Sequence, residues 1–477
     1  MADPLDDAAV AGDALMRVAS AAGGYLDSLA GRPVLDHDAL GMLAGLGGAL
    51  PDAGAGTAGT VDRLIDIGTA AGTASSGPRF YHLVIGGVTP AALAADWLAS
   101  LLDQNAYGRV SSPFATEVET VALGWLRELF GLPEGWGGAL VASATFANFT
   151  GLGCATQWWG ERLGADTVGD GLAGLPRMPV LSGGYLHASA RKALQMLGHG
   201  RNAAETFPAD ATGRVDLASM RRRLDELGGR PAVIIGNAGE VNTGDFDPIA
   251  ALADLAAEYG CWLHVDGAFG LFAALSPRTE HLVEGIERAD SIAADAHKWL
   301  NVPYESGFAL IKDPARLGRA FGMPGAPYLP APDDPAGGHA PFGPESSRRA
   351  RALPIWATLA AYGRDGYRAM VERHLDLAQR LKRHVDESPE LERLAEVPLC
   401  IVCFRARPEG VPEEGLDDFN RRLGAAIVAD GRFLAGTTVH AGKVALRPAI
   451  VNWRTTDRDV DLFAATVKEL VDNMINK

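Results

Sequence analysis

The sequence predicts an α/β protein with a mainly parallel central sheet and a smaller α+β carboxy-terminal domain. Two observations carry this. From about Gly138, short apolar runs alternate with segments of helical periodicity, the pattern of βαβ units. After roughly residue 350 that alternation gives way to a long helical segment, two apolar runs and a closing amphipathic helix. The expected divisions are an amino-terminal helical arm over 1–85, a large domain over 86–345 and a small domain over 346–477.

The arm comes first. Ala8 to Leu29 is Ala-rich, Pro51 to Thr60 is a Gly/Ala/Thr-rich link, and Val61 to Ile67 is short and periodic. Such a segment has little core of its own and is expected to pack on a neighbour. Strands are then expected at 138–142, 179–183, 232–236, 261–266, 289–294 and 307–311. One unit reads almost completely: Val233-Ile-Ile is a strand, Asp247 and Pro248 supply an N-cap and first-turn proline, and Ile249 to Tyr259 is a helix ended by Gly260. Trp262-Leu-His-Val-Asp266 is the next parallel strand. The Pro/Gly-rich stretch Gly322 to Pro344 has no periodicity, and loops of that length often serve as lids or binding loops. Beyond it, a helix is expected near Tyr367 to Val385, strands at 398–404 and 443–450, and a helix from Asp457 to Ile475.

Composition narrows the function. A chain of 477 residues, 47% of them hydrophobic, can bury a large core. Its net charge of −16, with only short Arg clusters at Arg221 to Arg223 and Arg348-Arg349, speaks against nucleic acid and for small-molecule chemistry. The acidic start Met1-Ala-Asp-Pro-Leu-Asp-Asp does not resemble a secretion signal, and no stretch is apolar for long enough to span a bilayer. Four dispersed cysteines imply no disulfide framework and a reducing, cytoplasmic setting. Cys400-Ile-Val-Cys403 lies in an apolar run with no second Cys/His pair nearby, so core cysteines are expected there rather than a redox or zinc pair. No metal site is expected, since His-Glu-x-x-His is absent, and a serine hydrolase lacks its Gly-x-Ser-x-Gly elbow.

Four features carry chemistry. Lys298 follows the apolar run Ile292-Ala-Ala and precedes Trp299-Leu300, a setting in which a partly desolvated amine can lose its proton and form a Schiff base. A snorkelling surface lysine would look the same. Asp266 ends a buried strand, where a carboxylate needs a cationic partner, either a protonated pyridine nitrogen, a protein arginine or a capping role. Paired with such a ring, it would keep the nitrogen protonated and make the ring an electron sink. His187 opens the helix Ala188 to Leu197, whose dipole favours a neutral imidazole able to lie flat on a pyridine ring, or simply to cap. Ser143-Ala144-Thr145 joins a strand to a helix with backbone N–H groups free for a phosphate, although Ser and Thr also cap helices that bind nothing. Asp266, Lys298 and the loop after Gly239 all fall at carboxyl ends of strands, where ligands of such sheets sit.

Together the motifs resemble the group II pyridoxal-phosphate amino acid decarboxylases, which include aromatic amino acid, glutamate, histidine and diaminobutyrate decarboxylases. The matching stretches are Pro113-Phe-Ala-Thr-Glu-Val-Glu, Leu186-His-Ala-Ser-Ala-Arg-Lys-Ala, Thr243-Gly-Asp-Phe-Asp-Pro, Trp262-Leu-His-Val-Asp-Gly-Ala and Asp295-Ala-His-Lys-Trp-Leu. The resemblance implies a type I pyridoxal-phosphate transferase fold and a homodimer with its active site at the interface, the arm wrapping the partner. By position it makes Lys298 the Schiff-base lysine, Asp266 the pyridinium partner and His187 the stacking histidine, with Ser143, Ala144 and Thr145 on the phosphate and Ala268 and His297 bordering the cofactor. The implied activity is decarboxylation of an L-amino acid to its primary amine and carbon dioxide.

The chain also departs from the family pattern. Asp295-Ala296 stands where many members have Asn-Pro, and Gly239-Glu240-Val241 where Gly-Thr-Thr is common. Many members protonate the product carbanion with a loop tyrosine, but no tyrosine lies between Tyr328 and Tyr362, and the loop offers Phe342 and His339. A phenylalanine there accompanies oxygen-dependent aldehyde formation in some aromatic members, which is the alternative reaction. A catalytically silent partner subunit is another alternative, and aminotransferase or carbon–carbon lyase chemistry uses the same lysine and aspartate. Phe80, Tyr81, His82 and the region near Phe114, together with partner-chain loop residues around Tyr328 and Phe342, are expected to line the substrate pocket and suit an apolar or aromatic amino acid.

Overall fold

A computed structural model describes residues 4–322, 338–339 and 342–476. Its main sheet, among these residues, is built from β1 (Gly137–Val141), β2 (Val180–Ser182), β3 (Ala204–Thr206), β4 (Val233–Asn237), β5 (Trp262–Asp266), β6 (Ser291–Asp295) and β7 (Gly307–Ile311). The spatial order is β1-β7-β6-β5-β4-β2-β3. Strands β2 to β6 run parallel, while β7 is antiparallel to both of its neighbours, β6 and β1. Strand β1 therefore points the same way as β6. The consequence is that β1, β2, β4, β5 and β6 all end on one edge of the sheet, with Asn237 opposite Asp266 and both Val141 and Asp295 opposite Gly307.

The six expected strands are present within one or two residues of their predicted bounds. Strand β3 was not expected, because Ala-Glu-Thr at a sheet edge is half-exposed and carries no apolar run. Helix Ile249–Tyr259 ends where expected, with Gly260 in the left-handed region at φ 62. Its start differs from the expectation. Asp247 does not cap the helix but turns its carboxylate back to accept hydrogen bonds from the backbone and side chain of Asn237 at the end of β4, at 2.9 and 2.8 Å. Burial pushes that carboxyl up to about 6.

The arm forms helix Ala11–Ser28, which buries none of its residues, and helix Gly56–Ala71. The second helix begins inside the expected link, and Arg17 bridges to Asp62 between the two at 2.6 Å. Beyond the large sheet, the helical stretch Ala352–Asp386 is broken at Gly363, whose φ of 59 combined with ψ of −173 is a conformation essentially confined to glycine, so the expected helix is its second half. A second sheet follows, from β8 (Leu391–Arg393), β9 (Phe404–Ala406), β10 (Thr437–His440) and β11 (Lys443–Leu446), antiparallel in the order β10-β11-β9-β8. The expected strand at 398–404 is mostly a buried run with bends at 398–400, bridged to Ala449 at Ile401, and the ladder itself starts at Phe404. Cys400 and Cys403 are buried free thiols in this run. Helix Asp457–Ile475 closes the chain with a capping box between Thr456 and Asp459.

Several buried clusters form among the described residues. One of the two largest packs on the large sheet and includes Leu263, Ile292 and Trp299. The other is formed by Phe404, Phe419, Phe433 and Phe463 around the small sheet, joined by Tyr81 from the amino-terminal part. Among the described residues no helix is long and apolar enough to cross a membrane. Tyr328 and most of the 322–344 loop lie outside the described residues.

Where the chain re-enters after that loop, Arg348 pairs with Glu119 at 2.7 Å, both side chains almost fully buried. This explains the acidic end of the Pro113 to Glu119 motif, since helix Pro113–Leu129 holds the loop's return point by that pair. Glu119→Ala leaves a buried guanidinium without its partner and is expected to cost about 3–5 kcal/mol. An unchanged midpoint of thermal unfolding would reject that role.

Candidate active site

Strand β6 delivers Asp295, and the chain then turns tightly, with Ala296 and His297 both donating backbone hydrogen bonds to the Ser306 carbonyl. Lys298 emerges from this turn. Its side chain is 17% exposed and its Nζ lies 3.1 Å from Asp295 Oδ2, above the ring of Phe269. It is therefore an enclosed lysine and not a snorkelling one. Gly86 packs on its backbone so closely that a Cβ would sit 1.8 Å from the Lys298 carbonyl oxygen. Asn301, fully buried, accepts hydrogen bonds from the Gly87 and Trp453 amides and donates to the Trp299 and Val451 carbonyls. One side chain thus ties the lysine's turn to both the 80s segment and the small-domain segment. The approach is strained at Leu83 and Val84, both at positive φ (58 and 57), which costs on the order of 1–3 kcal/mol each.

Asp266 sits at the end of β5 and is 5% exposed. Its Oδ1 accepts from the Ala268 amide at 3.2 Å, and its Oδ2 from Asn148 at 3.0 Å and from Ser189 at 3.4 Å. Among the described residues no arginine or lysine pairs with it. Of the three readings open from the sequence, the protein salt bridge and the helix cap are therefore absent here. What the donor set suits is a ligand cation, such as the protonated nitrogen of a pyridine ring.

His187 follows β2 and caps helix Ala188–Met196, its Nδ1 accepting from the Ser189 amide at 3.2 Å. That bond leaves the ring proton on Nε2. The ring is exposed, and Ser189 Oγ, 2.7 Å from Nδ1, connects it to Asp266. Capping and a place in the site are thus both realised by one residue.

The turn after β1 brings Ser143, Ala144 and Thr145 to the start of helix Ala144–Arg162, with Ser143 as N-cap and no side-chain cap bond. The Ala144 amide donates to Asp295 Oδ1. Asp295 is thus shared between that helix start, Lys298 and His297 Nε2, the last at 3.4 Å. His297 is held by the Ser306 amide on Nδ1 and stacks on Tyr304 at 4.1 Å. Desolvation depresses its basicity, and burial pushes the Tyr304 phenol up, so the imidazole is neutral and the phenol protonated at neutral pH. Ala268 accepts the Asp295 amide, closing the group. Glu240, at a position where the chain departs from the family pattern, spends its carboxylate on its own turn, accepting from Asn242 and Thr243.

The expected substrate residues divide. Tyr81 is corrected to a core residue: it is 1% exposed and packs against Phe433 and Phe463. Phe80 is buried and bridges to Leu434. His82 is half-buried against Gly436, its basicity lowered by burial and by Arg447. Phe114 is half exposed, and Phe342 packs on helix Ala315–Phe321 rather than in this chain's Lys298 cluster. Sequence reasoning missed Asn148, Ser189, Tyr304 and Asn301. Only Tyr304, an aromatic close after the lysine, left a visible signal.

The decisive comparison is with a family model described as the pyridoxal-dependent decarboxylase conserved domain, which matches residues 64–407. The chain belongs to this family. Relatives include the L-2,4-diaminobutyrate decarboxylase of Rhizobium meliloti (strain 1021), 32% identical over 435 residues, covering 86% of this chain and 85% of that protein. The aromatic-L-amino-acid decarboxylase of Bacillus atrophaeus is 28% identical over 83% of this chain and 82% of its own length. A phenylacetaldehyde synthase of Arabidopsis thaliana is 26% identical over 95% and 94%. The structure of Oryza sativa TDC with PLP superposes with a TM-score of 0.86 at 25% identity, covering 99% of this chain and all of the other. This decarboxylase accordingly has the type I fold and is a pyridoxal-phosphate-dependent carboxy-lyase of amino acid metabolism.

In this decarboxylase Asp295 puts a second negative charge at the helix start expected to take the cofactor's phosphate. Asp295→Asn keeps an acceptor for the Ala144 amide but removes the like charge. Pyridoxal phosphate is expected to bind the apoprotein about threefold or more tightly in a titration. Weaker binding would show that the carboxylate is needed there.

Proposed function

We propose that this decarboxylase converts an L-amino acid to its primary amine, with Lys298 holding the cofactor, Asp266 facing its pyridine nitrogen and His187 lying against its ring. The observation that carries this assignment is the buried Asp266 carboxylate, which no lysine or arginine among the described residues pairs with, on the sheet edge where Lys298 emerges. When bound, pyridoxal phosphate supplies an electron sink for the bond broken at the substrate's α-carbon.

The chain's own residues do the rest. Asp266 would hold a bound cofactor's ring nitrogen in its protonated form, because a carboxylate favours a cationic neighbour. Lys298 is enclosed next to Asp295, which can take or return the amine's proton across 3.1 Å. His187 presents an N–H at Nε2, fixed in direction by the Ser189 amide. Ser143, Ala144 and Thr145 offer the start of a helix to the phosphate, with Ala268 and His297 at the border. Tyr304 brings a protonated phenol to the rim through its stack on His297, a proton source that does not depend on the 322–344 loop.

The substrate we infer is an apolar or aromatic L-amino acid, supported by the similarity to aromatic decarboxylases. Exposed Leu15, Met16 and Leu64 on the arm support a second copy as its cover, and sedimentation at twice the chain mass would agree. The oxygen-dependent aldehyde reaction is favoured by one feature, Phe342 in place of a loop tyrosine. It is the second reading.

Lys298→Ala is expected to abolish turnover and the visible absorbance of the bound cofactor, and a fully active variant would end this reading. Carbon dioxide and amine released in equal amounts under argon, at the rate seen in air, would eliminate aldehyde formation. Peroxide and ammonia in step with carbon dioxide would establish it.

A further inference from the structure

Behind Asp266, four fully or almost fully buried side chains form a hydrogen-bonded chain that the mechanism above does not use. Trp262 Nε1 lies 2.9 Å from Ser291 Oγ, which lies 2.8 Å from His264 Nδ1. His264 Nε2 lies 2.7 Å from Asn148 Oδ1, and Asn148 Nδ2 lies 3.0 Å from Asp266 Oδ2. The exposures of Trp262, Ser291, His264 and Asn148 are 3%, 0%, 0% and 0%.

The two ends dictate every proton between them. An ionised carboxylate only accepts, so Asn148 must turn its amide N–H₂ to Asp266 and its oxygen to His264. His264 must then carry its proton on Nε2 and accept at Nδ1. Ser291 must donate to that nitrogen and accept from Trp262, whose indole can only donate. All donors point toward Asp266. The second N–H of Asn148 reaches Ser189 Oγ at 3.3 Å, so the same amide also supports the residue beside His187.

Space has been left for this arrangement. A Cβ at Gly151 would lie 2.7 Å from both Cε1 and Nδ1 of His264 and 3.1 Å from Ser291 Oγ. Burial also holds His264 down to about 4, so the imidazole brings no positive charge of its own to the carboxylate. A cationic histidine there would offset the charge on Asp266 and weaken its hold on a ligand cation.

We propose that His264, acting through Asn148, is a positioning residue that fixes the orientation of the Asp266 carboxylate and keeps it the acceptor for the cofactor's ring nitrogen. This rests on the assignment of Asp266 to that nitrogen. The chain of one-way donors and the Ser189 hydroxyl hold Oδ2, and the Ala268 amide holds one side of Oδ1, which leaves one lone pair, on Oδ1, for the ring nitrogen. Polarised chains of this kind strengthen each member's bond.

The test measures two properties other than turnover: the affinity of the apoprotein for pyridoxal phosphate, and the pH midpoint of the bound cofactor's visible band. His264→Phe preserves bulk and removes both ring nitrogens, and Ser291→Ala removes one hydroxyl. His264→Gln retains one donor and one acceptor. His264→Phe is expected to weaken cofactor binding about tenfold, the scale of one lost hydrogen bond to a charged group, and to move the midpoint. His264→Gln is expected to recover most of both, which a merely space-filling role would not produce.

Wild-type affinity and midpoint in a folded His264→Phe protein, with both disturbed in Asp266→Ala, would overturn the proposal while leaving the role of Asp266 intact. Unchanged values in Asp266→Ala would instead overturn the assignment on which the proposal rests. Should His264→Phe fail to fold, Ser291→Ala decides: a shifted midpoint supports the chain, and wild-type values overturn it.

Discussion

A carboxylate buried at the end of a central strand, with no lysine or arginine among the described residues to balance it, is the constraint around which the site is arranged. Burying an ion costs several kcal/mol even after relaxation, and a buried charge is tolerated only when hydrogen bonds and an opposite charge compensate it. Asp266 has the hydrogen bonds, from Ala268, Asn148 and Ser189. The opposite charge is what the ring nitrogen of the family's cofactor would supply under the proposed assignment. Cofactor binding and stability of the site are thus one electrostatic problem, which is why the donors behind Asp266 are neutral.

The parallel sheet makes this arrangement possible. Because β7 alone reverses direction, the turns after β1, β2, β5 and β6 open on the same edge, and residues far apart in the chain meet there. Asp295 illustrates the economy of the meeting, since it touches the helix start after β1, the lysine after β6 and His297. The small domain takes part through Asn301, which holds the amide of Trp453 and the carbonyl of Val451. A shift of the 451–453 segment would therefore be felt at the turn that carries Lys298.

The readable parts of the fold share one property. Helix Ile249–Tyr259, its glycine stop and strand β5 are written in consecutive residues, so periodicity and end signals report them directly. Elements whose formation depends on a distant partner were missed or misread. The half-exposed strand β3 exists because β2 lies beside it, and Asp247 abandons its cap because Asn237 lies within reach. Tyr81 reads as an aromatic near the site but belongs to the second core, since Phe433 and Phe463 close on it from more than 300 positions away.

By itself the sequence determined the alternating architecture and the family, and it singled out the lysine, aspartate and histidine that are proposed to carry the chemistry. Each of these rests on short motifs at strand ends. Only the tertiary structure decided which of the described residues face Asp266 and that none of these is a cation. It alone enclosed Lys298 beside Asp295, and it turned Asn148 and His264 into a one-way chain of donors. The physical reason is that hydrogen-bond partners are chosen by direction and distance in three dimensions. A contact between Asn148 and His264 spans 116 positions and leaves no period in the chain to read.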